Sequence, residues 1–229
     1  MKIKGFQGVS LIDYPEKVSS VIFTGGCNMR CPFCQNKELV ENSIPSLNEE
    51  DILKAIFERK GFIDGVVITG GEPTIQHDLA DFCRRLKNEG FFVKLDTNGY
   101  LPDVLRGLIE NKAIDYISLD IKSTFSDYNN TCGITVDVDK IKESLEILRN
   151  MEIDYEIRTT GVPGIIDLEK IKEIAREISW AKKYVIQQYR NEKTLNPDFE
   201  KIAPYPKDVL LGFKREAEAF ISNVSVRGI

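Results

Sequence analysis

Short apolar, β-branched runs alternate along the chain with segments that carry apolar residues at three- and four-residue spacing, and this alternation leaves few folds open. It is the pattern of parallel βα units. Strands are expected at Val18 to Phe23, Gly65 to Thr69, Phe91 to Asp96, Tyr116 to Asp120, Asp154 to Thr159 and Tyr184 to Gln188. Between them, Asn48 to Lys60, Asp78 to Glu89, Pro102 to Asn111, Val138 to Met151 and Leu168 to Ser179 have helical spacing. The first helix has Ser46 as its candidate N-cap, with Glu49 three residues on, and Gly61 closes it. From Arg190 to Pro206 the pattern gives way to a polar, proline-containing stretch; Lys207 to Phe220 resumes as a helix before a short apolar end, Val224 to Val226. With 229 residues and 42% hydrophobic content, one sizeable core is expected. The fold class is α/β, a partial (β/α)6 TIM-like barrel in a single domain over residues 1–229, with a core at about 17–190 and a short C-terminal extension at about 191–229.

Charge and composition narrow the partners. The 31 basic and 36 acidic residues give a net charge of -5, and no run of Lys or Arg marks a surface that tracks phosphates, so nucleic acid is not expected. No apolar stretch approaches the roughly 20 residues that span a bilayer, and Met1 to Gly8 lacks the apolar core of a signal peptide. A cytoplasmic location without membrane contact is the expectation. In that setting the 5 cysteines read as thiols or metal ligands, not as a disulfide framework.

The residues with chemical potential fall at the C-terminal ends of the expected strands, the face that carries the active site in parallel α/β barrels. After the first strand comes Cys27-Asn28-Met29-Arg30-Cys31-Pro32-Phe33-Cys34, with Gly25 and Gly26 before it; after the second, Gly70-Gly71-Glu72-Pro73; after the third, Thr97-Asn98-Gly99; and the fourth ends at Asp120 with Lys122 beyond. Three local thiolates leave one coordination position of a zinc ion or an iron–sulfur cubane without an obvious protein ligand. Cys83, on the apolar side of a helix with Leu79 and Leu86, reads as core. Cys132, in a loop after the fourth strand, stays open to a ligand or redox role, and the single histidine, His77, either completes a Cys3His zinc site or begins a helix. Gly70 to Pro73 is also compatible with an ordinary βα turn. Asp120 and Lys122, two residues apart on a strand, point to the same side and serve either the barrel lumen or a solvated ion pair.

The C-x-x-x-C-x-x-C spacing with Phe33 before the last cysteine, together with Gly70-Gly71-Glu72-Pro73 downstream, resembles the radical S-adenosylmethionine superfamily. Within it, the entry segment Gly5 to Pro15 looks like that of the small activating enzymes of glycyl radical enzymes, including the activators of anaerobic ribonucleotide reductase and pyruvate formate-lyase. The resemblance covers about residues 5 to 190. It implies that Cys27, Cys31 and Cys34 each bind one iron of a 4Fe-4S cluster, whose fourth iron is chelated by the amino and carboxylate groups of S-adenosyl-L-methionine. Phe33, Gly70 and Gly71 would lie at the cofactor, and Glu72 would accept from its amino group in a charge-assisted contact. Asn36, Asp120 and Lys122 match cofactor-contacting positions, and Arg158 an arginine that precedes a Val-Pro-Gly turn. Asp96 and Thr97 match positions that hold a monovalent cation near the cofactor carboxylate, an ion that Asp96 and Asp120 would share. Gln35 departs from the histidine of many activators, and Val185 to Arg190 lacks another histidine they often carry.

What the resemblance implies is reductive cleavage of S-adenosylmethionine to a 5′-deoxyadenosyl radical, which abstracts hydrogen from a glycine of a partner glycyl radical enzyme, with anaerobic ribonucleoside-triphosphate reductase as the candidate. An electron donor such as flavodoxin or ferredoxin would supply the reducing equivalent. Two other readings remain at this point: a radical enzyme acting on a small molecule or another peptide, and a noncatalytic zinc or electron-transfer module.

Overall fold

The computed structural model describes all 229 residues. One eight-stranded sheet runs in chain order: β1 (Ile3–Ser10), β2 (Ser19–Thr24), β3 (Gly65–Gly70), β4 (Phe92–Thr97), β5 (Tyr116–Asp120), β6 (Asp154–Gly161), β7 (Tyr184–Gln188) and β8 (Val224–Arg227). β1 is antiparallel to β2, and every later pairing is parallel. The helices are α1 (Lys37–Val40), α2 (Glu49–Phe57), α3 (Leu79–Asn88), α4 (Pro102–Glu110), α5 (Tyr128–Cys132), α6 (Val138–Asn150), α7 (Leu168–Glu177) and α8 (Lys207–Ala217). No helix is long and apolar enough to cross a membrane.

The α/β barrel expected from the alternation is present, with the six anticipated strands as β2 to β7. Two more strands extend the sheet. β1 lies in the entry segment, where Gly5 and Gly8 dilute its strand character. β8 closes what reads in sequence as an extension, and its four residues are too few to show a period. The cap of α2 also differs: Asn48, not Ser46, accepts from Glu50 N (2.9 Å) and Asp51 N (3.2 Å) through Oδ1. The helix begins at Glu49, which makes Asn48 the N-cap, and asparagine is as good a cap there as serine.

Period-two alternation divides each strand between two environments. Ile22, Ile68, Leu95 and Ile117 pair across β2 to β5, all fully buried, and belong to the main core formed with helix residues such as Leu53, Phe82 and Leu105. Cys83 is in the same core. On the opposite, inner face, Tyr14 from the β1–β2 connection packs on Val21 and Val67, with Phe23 and Tyr116 against them. This apolar group floors the lumen on the β2–β3 side. The β4–β8 side is charged.

Glu156 on β6 shows how that charge is accommodated. It is fully buried, yet Ser118 Oγ donates to it (2.9 Å), Arg227 from β8 donates through Nη1 and Nη2 (3.0 and 2.9 Å), and Lys183 Nζ lies 3.2 Å away. Burial alone would raise its pKa, but the Arg227 contacts and nearby cations outweigh it and hold the carboxyl at about 2, against an ordinary 4.5. A depressed carboxyl stabilises the fold above its unfolded pKa and loses that contribution as pH falls toward its folded value. Glu156→Gln should therefore cost roughly 3 kcal/mol at neutral pH. The gap from wild type should narrow between pH 4.5 and about 2 in urea titrations; a pH-independent gap would argue against the linkage.

Candidate active site

Three chain turns, at the ends of β2, β3 and β4, build the mouth of the barrel. Beyond β2 the chain is pinned at Gly25 N to Lys2 O (2.8 Å) and Gly26 N to Leu39 O (2.7 Å) before it enters the cysteine loop. Glu72 N donates to Gly26 O (2.8 Å), so the turn after β3 lies flat on that backbone. The approach requires glycine. A Cβ on Gly71 would sit 1.9 Å from Gly26 O, and Gly70, at φ +118°, would place one 2.4 Å from Thr24 N. Asn36 Nδ2 donates to Gly70 O (2.9 Å), tying the far end of the cysteine loop to the same turn.

Glu72 joins the turns. It is 1% exposed, and its Oε1 accepts from Thr74 N (3.0 Å), Thr74 Oγ1 (2.6 Å) and Thr97 Oγ1 (2.7 Å), while Oε2 accepts from Asn98 N (2.8 Å). Burial raises its pKa against the pull of these four donors. Asn98 Nδ2 in turn donates to Asn28 Oδ1 in the cysteine loop (2.8 Å). Thr74, Asn28 and Asn98 were not anticipated as site residues; Asn98 sits in the noted Thr97-Asn98-Gly99 turn, but nothing in the sequence points from it to Glu72.

On the other wall a row of charges spans three strands. Lys94 Nζ donates to Asp96 Oδ1; Arg158 Nη1 donates to Asp96 Oδ2 (3.0 Å) and its Nε to Asp120 Oδ1 (2.7 Å); Lys122 Nζ donates to Asp120 Oδ2 (2.9 Å). Burial would raise both aspartates, but Arg158 first, then Lys94 for Asp96 and Lys122 for Asp120, hold them below the usual carboxylate range. Asp120 and Lys122 are thus an ion pair, and both side chains line the cavity.

A single cavity of about 860 Å³ lies between these walls. The residues that the family resemblance singles out all line it: Cys27, Cys31 and Cys34 with Phe33 and Asn36 on one side, Gly70, Gly71 and Glu72 above, and Asp96, Thr97, Asp120, Lys122 and Arg158 opposite; Cys132 and His77 do not. The volume is within the range of ligand and cofactor sites. The thiols are protonated in isolation, since burial pushes Cys27 up to about 12 and raises Cys34. Cys132 is in the short helix α5, not a loop; its carbonyl accepts Arg30 N (2.9 Å), and the neighbouring Cys132 thiol together with burial raises the Cys31 pKa.

The stretch after β7 holds the cysteine loop from outside. Leu195 N donates to Cys34 O (2.8 Å), Asn196 N to Pro32 O (2.9 Å) and Gln35 Nε2 to Arg190 O (2.6 Å), while Phe33 and Phe199 pack with ring centroids 6.4 Å apart. Its polar, irregular sequence carries no sign of this role.

The donor set suits a cluster better than one ion. Nowhere do three His, Cys, Asp or Glu side chains gather closely enough to hold a single metal ion. Zinc bonds of about 2.3 Å require sulfurs about 4 Å apart. Thiolates that take different irons of a cluster are spread by its bulk. His77 is exposed at the start of α3, and no histidine lines the cavity.

An open parallel barrel with three thiols, a glycine turn and a charged row at one mouth defines an iron–sulfur enzyme with a small-molecule cofactor. The family model described as the radical SAM superfamily matches residues 21–167, and the chain belongs to that superfamily. A Methanocaldococcus jannaschii protein assigned provisionally as a glycyl-radical enzyme activating enzyme is 37% identical, over 99% of this chain and 96% of its own length. The pyruvate formate-lyase 1-activating enzyme of Escherichia coli K12 is 27% identical, over 82% and 80%. Among solved structures, Streptococcus suis SuiB superposes with TM-score 0.71 at 16% identity, covering 91% of this chain and 48% of SuiB. A domain of a pyruvate-formate lyase-activating enzyme from Bacteroides vulgatus gives 0.58 at 17%, covering 72% and 99%. Membership brings with it a 4Fe-4S cluster and S-adenosylmethionine as cofactors.

Gly71→Ala should force the β3 turn off the cysteine loop and cost roughly 3 kcal/mol, the scale of overpacking in a closed contact. Urea unfolding measures it, and a change under about 0.5 kcal/mol, the ordinary surface range, would contradict the tight approach.

Proposed function

We propose that the protein installs a glycyl radical on a partner enzyme, using S-adenosylmethionine held against a 4Fe-4S cluster in the barrel mouth. The observation that carries this reading is the convergence on one cavity of three thiols, the glycine turn and the charged row. Cys27, Cys31 and Cys34 would each hold one iron. The backbone at Gly70 and Gly71 and the Oε2 of Glu72, which accepts only the Asn98 N–H, would receive the cofactor's amino group. Lys122 and Arg158 would face the cofactor's carboxylate, with Asp96 and Asp120 holding those cations in place. When bound, the two cofactors supply one-electron cleavage of the sulfonium, giving methionine and a 5′-deoxyadenosyl radical that takes a hydrogen atom from the substrate.

The chain's own residues orient and shield. Met29 N donates to Cys27 Sγ (3.4 Å), which favours the thiolate. The apolar floor around Tyr14 closes the lumen below. The sheet begins at β1 and ends at β8 without pairing them, and Ile12 and Asp13 on one side and Arg227 and Gly228 on the other line the cavity beside that seam. An extended glycine loop of a partner fits such an entrance. Relatives named as activating enzymes over nearly their whole length support a glycyl radical enzyme as partner. Gln35, turned onto Arg190 O, and the absence of histidine from 185–190 favour a partner other than pyruvate formate-lyase, with anaerobic ribonucleoside-triphosphate reductase as the candidate and flavodoxin or ferredoxin as the donor class.

Anaerobic reconstitution with iron and sulfide, reduction and incubation with S-adenosylmethionine should yield 5′-deoxyadenosine and methionine. Addition of the ribonucleotide reductase should then give a glycyl radical signal by electron paramagnetic resonance. Intact, reduced cluster without either product, partner present, would defeat the reading; a radical on pyruvate formate-lyase alone would reassign the partner. Cys31→Ala should lose the cluster. Asp120→Asn should retain it but slow cleavage by about tenfold, the loss of one charge-assisted contact.

A further inference from the structure

The carboxylates of Asp96 and Asp120 stand where the family resemblance expects a monovalent cation, and the structure does not fit one. Both oxygens of each are taken by cationic side chains: Lys94 and Arg158 on Asp96, Arg158 and Lys122 on Asp120. Three cations against two anions already give the row a charge of +1, so a further ion would add repulsion. Lys94 is the unusual member. It is two residues before Asp96 on β4, so both face the lumen, and it is 1% exposed. Its ammonium has Asp96 beside it, the Tyr116 ring 6.0 Å away and Glu156 in electrostatic range, against burial and the Arg158 charge, which lower its pKa. Lysine is almost never buried this completely unless it is paired.

We propose that the Lys94 ammonium is the built-in monovalent cation of this site: a positioning residue that fixes Asp96, and through Arg158 the Asp120–Lys122 pair, so that neither sodium nor potassium is required. The ammonium is a compact, strongly hydrated point charge on a flexible stem, suited to replacing an alkali ion at a carboxylate. The effect on catalysis rests on the cofactor reading of Asp120 and Lys122 above; the occupancy of the site by Lys94 does not.

The test compares potassium chloride with choline chloride at equal ionic strength. In the full-length protein, with and without reconstituted cluster, thallium(I) titration followed by thallium NMR, and the melting midpoint, should show no saturable monovalent-ion response for wild type. Lys94→Met should gain a saturable response to thallium, potassium and ammonium. In choline its cleavage of S-adenosylmethionine should fall about tenfold, as for loss of one charge-assisted hydrogen bond, and recover in potassium or ammonium salts. Saturable ion binding by wild type overturns the proposal, even if Lys94→Met does not fold. So does a folded Lys94→Met with wild-type activity in choline. Absence of cleavage by wild type in every salt would strike the cofactor reading instead and leave the ion-binding result standing.

Discussion

A carboxylate out of water must have its oxygens hydrogen-bonded or its charge neutralised, and the mouth of this barrel is organised by one that does the former. Glu72 takes donors from the 3-10 turn after it and from the turn after β4, while its own amide holds the entry to the cysteine loop. Three loops from three strands are thereby locked in one arrangement. The glycines permit the close approach, but permission is not attraction; the four donors on Glu72 supply it.

Beneath that knot the barrel interior is two surfaces. β2 and β3 turn Val21, Phe23 and Val67 inward, and β4 to β8 turn Lys94, Asp96, Asp120, Glu156, Arg158 and Arg227 inward. The outer faces of the same strands are apolar and packed under helices, which is what makes a charged lumen tolerable: the core's stability is drawn from the other side of the sheet. Inside, each charge is matched at short range, so removing one partner exposes the remainder to the full cost of burial.

The strands and the barrel were legible because their outward residues form continuous apolar runs, and the cysteine loop and glycine turn because their spacing is specific. Cys83 in the core followed from helical periodicity. Lys94 was not legible: within Val93-Lys94-Leu95 a lysine reads as the solvent face of a strand, and only the closed lumen reverses that. β8 was too short to register, and Asn48 outcompeted Ser46 for a cap that sequence allows to either. The segment around Leu195 and Asn196 works through backbone N–H groups, which every residue but proline possesses, so no side-chain pattern could announce it.

That segment has a consequence in time. Gln35 and Arg190 are 155 positions apart, and the backbone bonds from Leu195 and Asn196 reach back as far to Cys34 and Pro32. The cysteine loop is made early in synthesis, and while its inner side is held by the β3 and β4 turns, its outer side is held by chain made much later. A chain that ends before Arg190 has the β3 and β4 contacts to the loop but lacks the outer brace. The outer brace of the loop is thus the last part of its support to be synthesised.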